Sequence, residues 1–355
     1  MTKTVQDSQK GPRLAFVNSS AGTTRVNSKK GNDLADLVIS ASHGARALDE
    51  PVDLLFDWLP GFEKVIASTA NGCAVMSEVG VYQRPMLVGD DLTFDNEGVA
   101  IRLQPAAVDT MVALDADKLN RVPPSLQLFD ASGAATHTCY IASISDQLAF
   151  DVLMYGTRER ELTQCLPSPV LSFLTEALCP VGSLPTQRFS DLDTSANLDA
   201  CLLNGGVSRH DRLKSLAEDN AWKIDRQVIL HLLRYLSDIR HPFALGVSNS
   251  SCLQLKRGRL DGLTRRGDLI ELTMGACRTF FDPAAIGEFW VVGSRHSLSL
   301  ECYTKMGTCA LSFIQDRAAD SQFNQSWMEI LSSLPRAGDR QTAQVGDTCT
   351  DNIFD

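Results

Sequence analysis

Ser125-Leu126-Gln127-Leu128-Phe129, followed by Gly133, and Ser299-Leu300-Glu301-Cys302-Tyr303, followed by Gly307, read as one strand-and-turn unit written twice. Two more segments recur in the same order. Asn71-Gly72-Cys73-Ala74-Val75 aligns with Ser250-Ser251-Cys252-Leu253-Gln254, and Pro105-Ala106-Ala107-Val108 with Pro283-Ala284-Ala285-Ile286. The offset drifts only from 179 to 174 residues, as one shortened loop would produce. Three ordered matches at a nearly fixed spacing mark a tandem repeat.

The residues around these landmarks carry the same pattern in both halves. Short apolar runs separated by Gly, Asn, Asp and Pro (KVIAST, CAVMSEVGVY, LTFD, VAIRLQ, TMVALD, SLQLFD, ATHTCYIAS) read as an antiparallel meander over residues 64 to 145. A second set (FALGVSN, CLQLKRGRL, LIELTM, RTFF, EFWVVGS, LSLECY, TCALSFI) follows over 243–315. Helical spacing is expected in Asn32–Phe62, Asp146–Tyr155, Gln322–Leu334 and a long stretch from His210 to Asp238. The fold class is therefore α+β. It is a pseudo-two-fold tandem repeat in which each half is a β-meander with flanking helices. The expected division is a flexible N-terminal tail at 1–31, a first repeat at 32–160, a connector at 161–205, a second repeat at 206–335 and a C-terminal tail at 336–355.

Composition narrows the function classes. A formal charge of −10 and pI near 5.1 argue against a general nucleic-acid or anionic-membrane binder, because such surfaces need an excess of Lys and Arg. The first residues hold no apolar stretch long enough for a secretion signal, and no segment reaches a membrane span, so a cytoplasmic protein without membrane insertion is expected. The ten cysteines lie in apolar surroundings without CxxC spacing and read as small buried hydrophobes. No GxGxxG, GxxxxGK[ST], GxSxG or HExxH occurs.

The repeat, its length and the segments Val79-Gly80-Val81-Tyr82, Ser125–Gly133, Cys252-Leu253-Gln254-Leu255 and Ser299-Leu300-Glu301 resemble the cytoplasmic haemin-utilisation family, the HemS-type haemin-degrading factors. The likeness spans about residues 36 to 335. It implies haem or a related tetrapyrrole as cofactor and partner, held in a cleft between the halves by a histidine on the inter-repeat segment and by basic side chains at the propionates. Delivery and breakdown of haem are both roles proposed for that family, and whether this chain is an enzyme stays open.

Carried over residue by residue, the resemblance divides. Leu216-Ala217-Glu218-Asp219 and Ala221-Trp222-Lys223-Ile224 anchor an alignment that places the iron-ligating histidine at Ala196. A methyl group offers iron no electron pair, so haem binding is expected to be weak or atypical, with no metal-ligating residue assigned. Arg102, Arg209 and Arg317 fall where the family has cleft arginines, Ser312 and Ile314 replace polar and aromatic pocket residues, and a family lysine is lost or replaced by Arg295.

His210, beside Arg209, is the best substitute ligand, although a solvated helix-start histidine is the commoner role for such a residue. His231, in the apolar run VILHLLRYL, reads as a core histidine, and Arg102 is explained as well by a buried ion pair as by a ligand. The basic set Lys256, Arg257, Arg259, Arg265, Arg266 and Arg278 reads as a solvated strand pair and turn. Two functions stay open, a haem-handling protein with an atypical cleft and a non-enzymatic descendant that binds another anionic ligand or a protein partner there. A homodimer is compatible with either.

Overall fold

The computed structural model describes residues 33, 34, 37, 44–88, 91–94, 98–116, 123–160, 210, 211, 213, 214, 220–294, 297–316 and 318–338. The proposed N-terminal tail, all of the connector and most of the C-terminal tail lie outside these residues.

The first repeat supplies β1 (Ala45–Leu48), β2 (Val65–Ala70), β3 (Ala74–Gly80), β4 (Met86–Val88), β5 (Asp91–Phe94), β6 (Ala100–Leu103), β7 (Thr110–Leu114), β8 (Ser125–Phe129), β9 (Ala135–Ile141) and β10 (Glu159–Arg160), with helices α1 (Val52–Phe56) and α2 (Ile144–Gly156). The second supplies β11 (Ala221–Lys223), β12 (Phe243–Ser248), β13 (Cys252–Gly258), β14 (Gly262–Arg266), β15 (Leu269–Met274), β16 (Cys277–Phe281), β17 (Ile286–Ser294), β18 (Ser297–Thr304) and β19 (Cys309–Gln315), with α3 (Val228–Asp238) and α4 (Ser321–Ser332). The α+β tandem repeat expected from the landmarks is the architecture. Strand alternation builds it locally: in β2, Val65, Ala67 and Thr69 are buried while Ile66, Ser68 and Ala70 are half-exposed.

The sheets are not each built from one half. A ten-stranded sheet runs β10-β1-β7-β8-β9-β2-β3-β16-β15-β14, and a nine-stranded sheet runs β11-β17-β18-β19-β12-β13-β6-β5-β4. After β3 the chain leaves its own sheet, and β4, β5 and β6 complete the sheet of the other repeat; β14, β15 and β16 make the reciprocal crossing. Period-two patterning identifies a strand and its buried side but carries no information about which neighbour it joins. The exchange gives both cores residues from both repeats: Cys73, Ala74 and Met76 pack among second-repeat side chains, and Cys252 among those of the first.

The crossing is held by a pair of equivalent asparagines. Asn71 donates through Nδ2 to the carbonyls of Ser248 and Ala310, at 2.7 and 2.8 Å, and accepts at Oδ1 from the amides of Cys73 and Ala74. Asn249 donates to the carbonyls of Ala70 and Thr136, at 2.9 and 2.6 Å, and accepts from Ser251 and Cys252. These contacts correct the landmark alignment by one residue, because Asn71 corresponds to Asn249 and Ala74, not Cys73, to Cys252. Cysteine identity misled the alignment, whereas the turn geometry requires the side-chain amide. On the same 178-residue spacing Glu78 corresponds to Lys256, and these two residues form an ion pair with each other. A pair of equivalent positions that meet must lie close to the approximate two-fold. Two identical repeats would bring like charges together there.

Other expectations are corrected. Residues 210–238 are not one helix: Ala221-Trp222-Lys223 pairs with Val292-Val291-Trp290, and the helix begins only at Val228, because strand pairing offers these residues a burial that a helix end would not. Ala45–Leu48, expected in a helical region, pairs with β7. His231 is exposed, since Ile229, Leu232, Leu233 and Leu236 set the buried face of α3 and residue 231 points away from it. Cys73, Cys139, Cys252, Cys277, Cys302 and Cys309 are buried, as their surroundings indicated.

His137 is also buried, accepting or donating at Nδ1 with Thr69 Oγ1 at 2.8 Å and at Nε2 with Tyr82 Oη at 2.7 Å. Burial pushes its imidazole down to about 4, so it stays neutral at neutral pH.

Two outcomes are expected from these contacts. Asn71→Ala or Asn249→Ala strips two carbonyls and two amides of their partner and should cost about 3 kcal/mol in chemical denaturation, unlike surface Asn→Ala changes. The unfolded chain protonates His137 near 6.5, the folded one only near 4, so stability contributed by the neutral ring is complete above pH 6.5 and falls between pH 6.5 and 4. The denaturation midpoint of the wild type should fall through that window relative to that of His137→Leu, which cannot titrate there, so the gap between them narrows as pH drops.

Candidate functional site

In β18 the residues alternate: Leu298, Leu300 and Cys302 enter the main core, which turns Ser299, Glu301 and Tyr303 to the opposite face of the nine-stranded sheet. The pairing register carries that face across the sheet. Lys223, Trp290, Glu301, Ser312, Gly246, Leu255 and Ala100 form one cross-strand row. Beside it run Ala221, Val292, Ser299, Ile314, Ala244 and Arg257, and on the other side Ser248, Leu253, Arg102 and Thr93. Arg102, Ser312 and Ile314, which the sequence placed at one cleft, therefore share a single sheet face.

In the middle of this face the side chains of Ser312, Leu253 and Leu255 close over Gly246. A side chain at Gly246 would meet Ser312 Oγ at 2.6 Å and the Leu253 and Leu255 methyl groups at 3.2 Å, so only glycine fits between them. Ala244, Ser312 and Ile314 are at most 5% exposed. The corresponding row of the ten-stranded sheet is Ala47, Val112, Gln127, Thr138, Ser68, Ser77 and Arg278, of which the residues from Gln127 to Ser77 are half-exposed and Arg278 is exposed. Ser68 and Ser77 bond each other there at 3.0 Å, where the other sheet has Gly246 and Leu255. One repeat thus presents an ordinary polar sheet surface, and the other a buried platform on which Gly246, Ala244 and Ser312 lie among Leu253, Leu255 and Ile314.

The platform has a charged group at each side. Arg102 is held by Asp91, with Nε and Nη2 both 2.7 Å from Oδ2. Of the two explanations open for an arginine in VAIRLQ, this is the ion pair, and it holds the guanidinium along β5 and β6. At the other side, over β17 and β18, His210 Nε2 meets Glu288 Oε2 at 2.7 Å, Lys223 Nζ donates to Oε1 at 2.7 Å and Trp290 Nε1 donates to Oε2 at 2.9 Å. The His210 ring stacks on Tyr303 with centroids 4.9 Å apart, and Tyr303 Oη donates to Glu301 Oε2 at 2.5 Å. Partial burial pushes the Glu288 carboxyl up, but the hydrogen bonds from Lys223, His210 and Trp290 together outweigh it and hold it at about 2.

His210 is thus a buried, bonded residue and not the solvated helix-start side chain that general placement favours. Its Nδ1 lies against Gly307, whose φ of +79° and lack of a side chain are both needed, since a Cβ would stand 2.7 Å from that nitrogen. Tyr303 lies four strand steps from β6, so His210 and Arg102 stand roughly 19 Å apart across the sheet. Ala196, Arg209, Arg295 and Arg317 lie outside the described residues.

Sequence reasoning missed Glu288, Lys223, Trp290, Tyr303 and Glu301 as a group. The repeat offered the signal: Ala47, Val112 and Phe129 stand in the first half where the second has Lys223, Trp290 and Tyr303. Among the described residues no group of three or more His, Cys, Asp and Glu is placed to hold a metal, and no helix is long and apolar enough to cross a membrane. Half of the basic set is ion-paired: Lys256 with Glu78, and Arg266 and Arg278 with Glu271.

Comparison with known proteins agrees with the fold. Residues 32–156 match the family model of the haemin-degrading HemS.ChuX domain. The chain is 22% identical over 304 residues to the hemin transport protein HmuS of Yersinia pestis, covering 82% of this chain and 86% of that one, and equally identical over 303 residues to the hemin transport protein HemS of Yersinia enterocolitica. Among solved structures it resembles ChuS, an E. coli heme oxygenase, with a TM-score of 0.70, 17% identity and coverage of 86% and 96% of the two chains. It also resembles holo-PhuS, a heme-binding protein from Pseudomonas aeruginosa, with a TM-score of 0.67, 19% identity and coverage of 86% and 90%.

Glu288→Gln should cost about 1 kcal/mol at pH 7, a modest figure because the group is partly solvated. With its folded value at about 2 against an ordinary 4.5, Glu288 contributes fully above pH 4.5, and the contribution disappears as pH falls toward 2. Wild type and Glu288→Gln should therefore differ in melting temperature at pH 7 and converge near pH 2.

Proposed function

We propose, from the premise that this chain belongs to the HemS/ChuX haemin-utilisation family, that it is a cytoplasmic haem-handling protein which takes haem or a related tetrapyrrole against the small-residue platform around Gly246, without a histidine bond to iron from the inter-repeat segment. The observation that carries the reading is the contrast between the two equivalent sheet faces. A flat apolar ring is favoured on an apolar surface kept from water, and of the two faces the second, with Leu253, Leu255 and Ile314 around Gly246, has that character.

The cleft is atypical at both polar ends. Arg102 is already neutralised by Asp91, so it contributes to a propionate only by sharing that partner or exchanging it, and the other two arginines on which the reading draws are Arg209 and Arg317. His210 has Nε2 committed to Glu288 and Nδ1 packed on Gly307, which favours a positioning role beside Arg209 over iron ligation. Iron in such a cleft keeps water or another small ligand, and affinity comes from ring burial and arginine–propionate bonds.

A haem titration followed at the Soret band tests this. The wild type should give saturable but weak binding without an Fe–imidazole spectrum. Ala196→His should give tight binding with that spectrum, and His210→Ala should lower stability while leaving the wild-type spectrum unchanged. If Ala196→His alters neither spectrum nor affinity in a folded protein, the cleft serves the alternative function, binding another anionic ligand or a protein partner.

A further inference from the structure

The platform row that runs Ala221, Val292, Ser299, Ile314, Ala244 and Arg257 ends on a cation. Arg257 stands opposite Ala244, one same-face step along the strands from Leu255 opposite Gly246. Its sequence neighbour Lys256 points to the other side of the sheet, where it is taken up by the buried Glu78. Of the six basic residues grouped in the sequence, Arg257 is thus the one on the platform face. Arg265, Arg266 and Arg278 belong to the ten-stranded sheet, and Arg259 lies past the end of β13, over the Phe323 ring.

The equivalent pair in the first repeat is Ile66 and Val79, both half-exposed and apolar. The adjacent pair differs in the opposite sense, with Ser68 and Ser77 in the first repeat and Gly246 and Leu255 in the second. The second repeat therefore has less polarity at the centre of its face and a charge directly beside it. Ala244, in the place of Ile66, also gives the arginine a short cross-strand neighbour over which its aliphatic stem can lie.

Arg257 differs from the other cations of its sheet in bonding. The strands of the nine-stranded sheet carry four Lys and Arg side chains, and three are ion-paired: Arg102 with Asp91, Lys223 with Glu288 and Lys256 with Glu78. Arg257 is exposed, and among the described residues it has no carboxylate partner. A planar guanidinium is suited to hold a carboxylate through two parallel bonds, and here the chain supplies none.

The structure assigns Arg257 as a specificity-determining residue of the platform, whose guanidinium receives a carboxylate carried on the rim of the ring. The assignment rests on the reading that the platform takes a tetrapyrrole, and it orients the ring. Strand geometry places the Arg257 Cα roughly 8 Å from that of Gly246 and roughly 14 Å from that of Arg102, at opposite ends of the same-face run through Leu253 and Leu255. Arg102 has to share or exchange Asp91 to bind, whereas Arg257 gives up only water. The carboxylate edge of the ring therefore lies toward Ile314, Ala244 and Arg257, and its apolar edge toward Ser248 and Leu253.

Soret-band titration of the full chain with haem and with haem dimethyl ester, whose carboxylates are capped, tests the assignment. The wild type should bind the ester about tenfold more weakly than haem, the scale of one bidentate charge-assisted pair. Arg257→Met, which keeps the stem and removes the charge, should lower haem affinity by about the same factor and leave ester affinity unchanged. Arg259→Met, which removes an equal charge two residues away, should bind both ligands as the wild type does. The assignment is overturned if Arg257→Met lowers haem affinity no more than Arg259→Met does, or if it lowers ester affinity as much as haem affinity; in either case haem binding by the wild type still stands. If the wild type takes neither haem nor the ester, the platform reading itself fails and the assignment falls with it.

Discussion

The arrangement depends on two side-chain amides. Asn71 and Asn249 sit where the two halves cross, and each uses two donated and two accepted bonds to close its own turn and to fasten the other repeat's strand ends. Backbone groups at such a crossing have left one ladder without entering the next, and if buried without partners they would cost more than the crossing gains. With them satisfied, β4–β6 and β14–β16 can complete the opposite sheets. The platform itself is composite for that reason, since Arg102 and Ala100 come from the first repeat and Gly246, Ser312 and Glu301 from the second.

Once joined, the halves have diverged where the symmetry allowed it. Glu78 and Lys256 turned a contact between equivalent positions into a complementary one. The Leu34–Phe129 cluster and the His210–Glu288–Tyr303 cluster occupy matching corners, one apolar and one hydrogen-bonded. The Ser68–Ser77 surface and the Gly246 platform do the same at the sheet centre. The second repeat is the more polar at its corner and the less polar in its middle.

How far the sequence reveals this depends on whether a feature is local. Strands such as Ser125–Phe129 and Ser299–Thr304 were legible because alternation is a property of neighbouring residues. The interchange of β4–β6 was not, since Leu253 pairing with Arg102 is a choice made across 151 residues that no local pattern records. Cys73 and Cys252 looked equivalent and are offset by one, because their identity is incidental while the bonds of Asn71 and Asn249 fix the turn. At the candidate site the apolar setting of Arg102 called for an ion pair or a ligand, but Glu288 looked like any half-exposed strand residue. Only its three donors, brought from β11, β17 and the residue at 210, give it meaning.

The central claim is that a tetrapyrrole is received on the second-repeat platform and not on its equivalent in the first. Methyl NMR of the isoleucine-, leucine- and valine-labelled chain, with and without haem, addresses this directly. Ile314 and Leu253 report on the platform, and Ile66, the equivalent of Ala244, with Val79 on the other face. Saturable shifts of the Ile314 and Leu253 methyls with Ile66 and Val79 unmoved are the expected result. Shifts confined to Ile66 and Val79, or to neither pair, would contradict it.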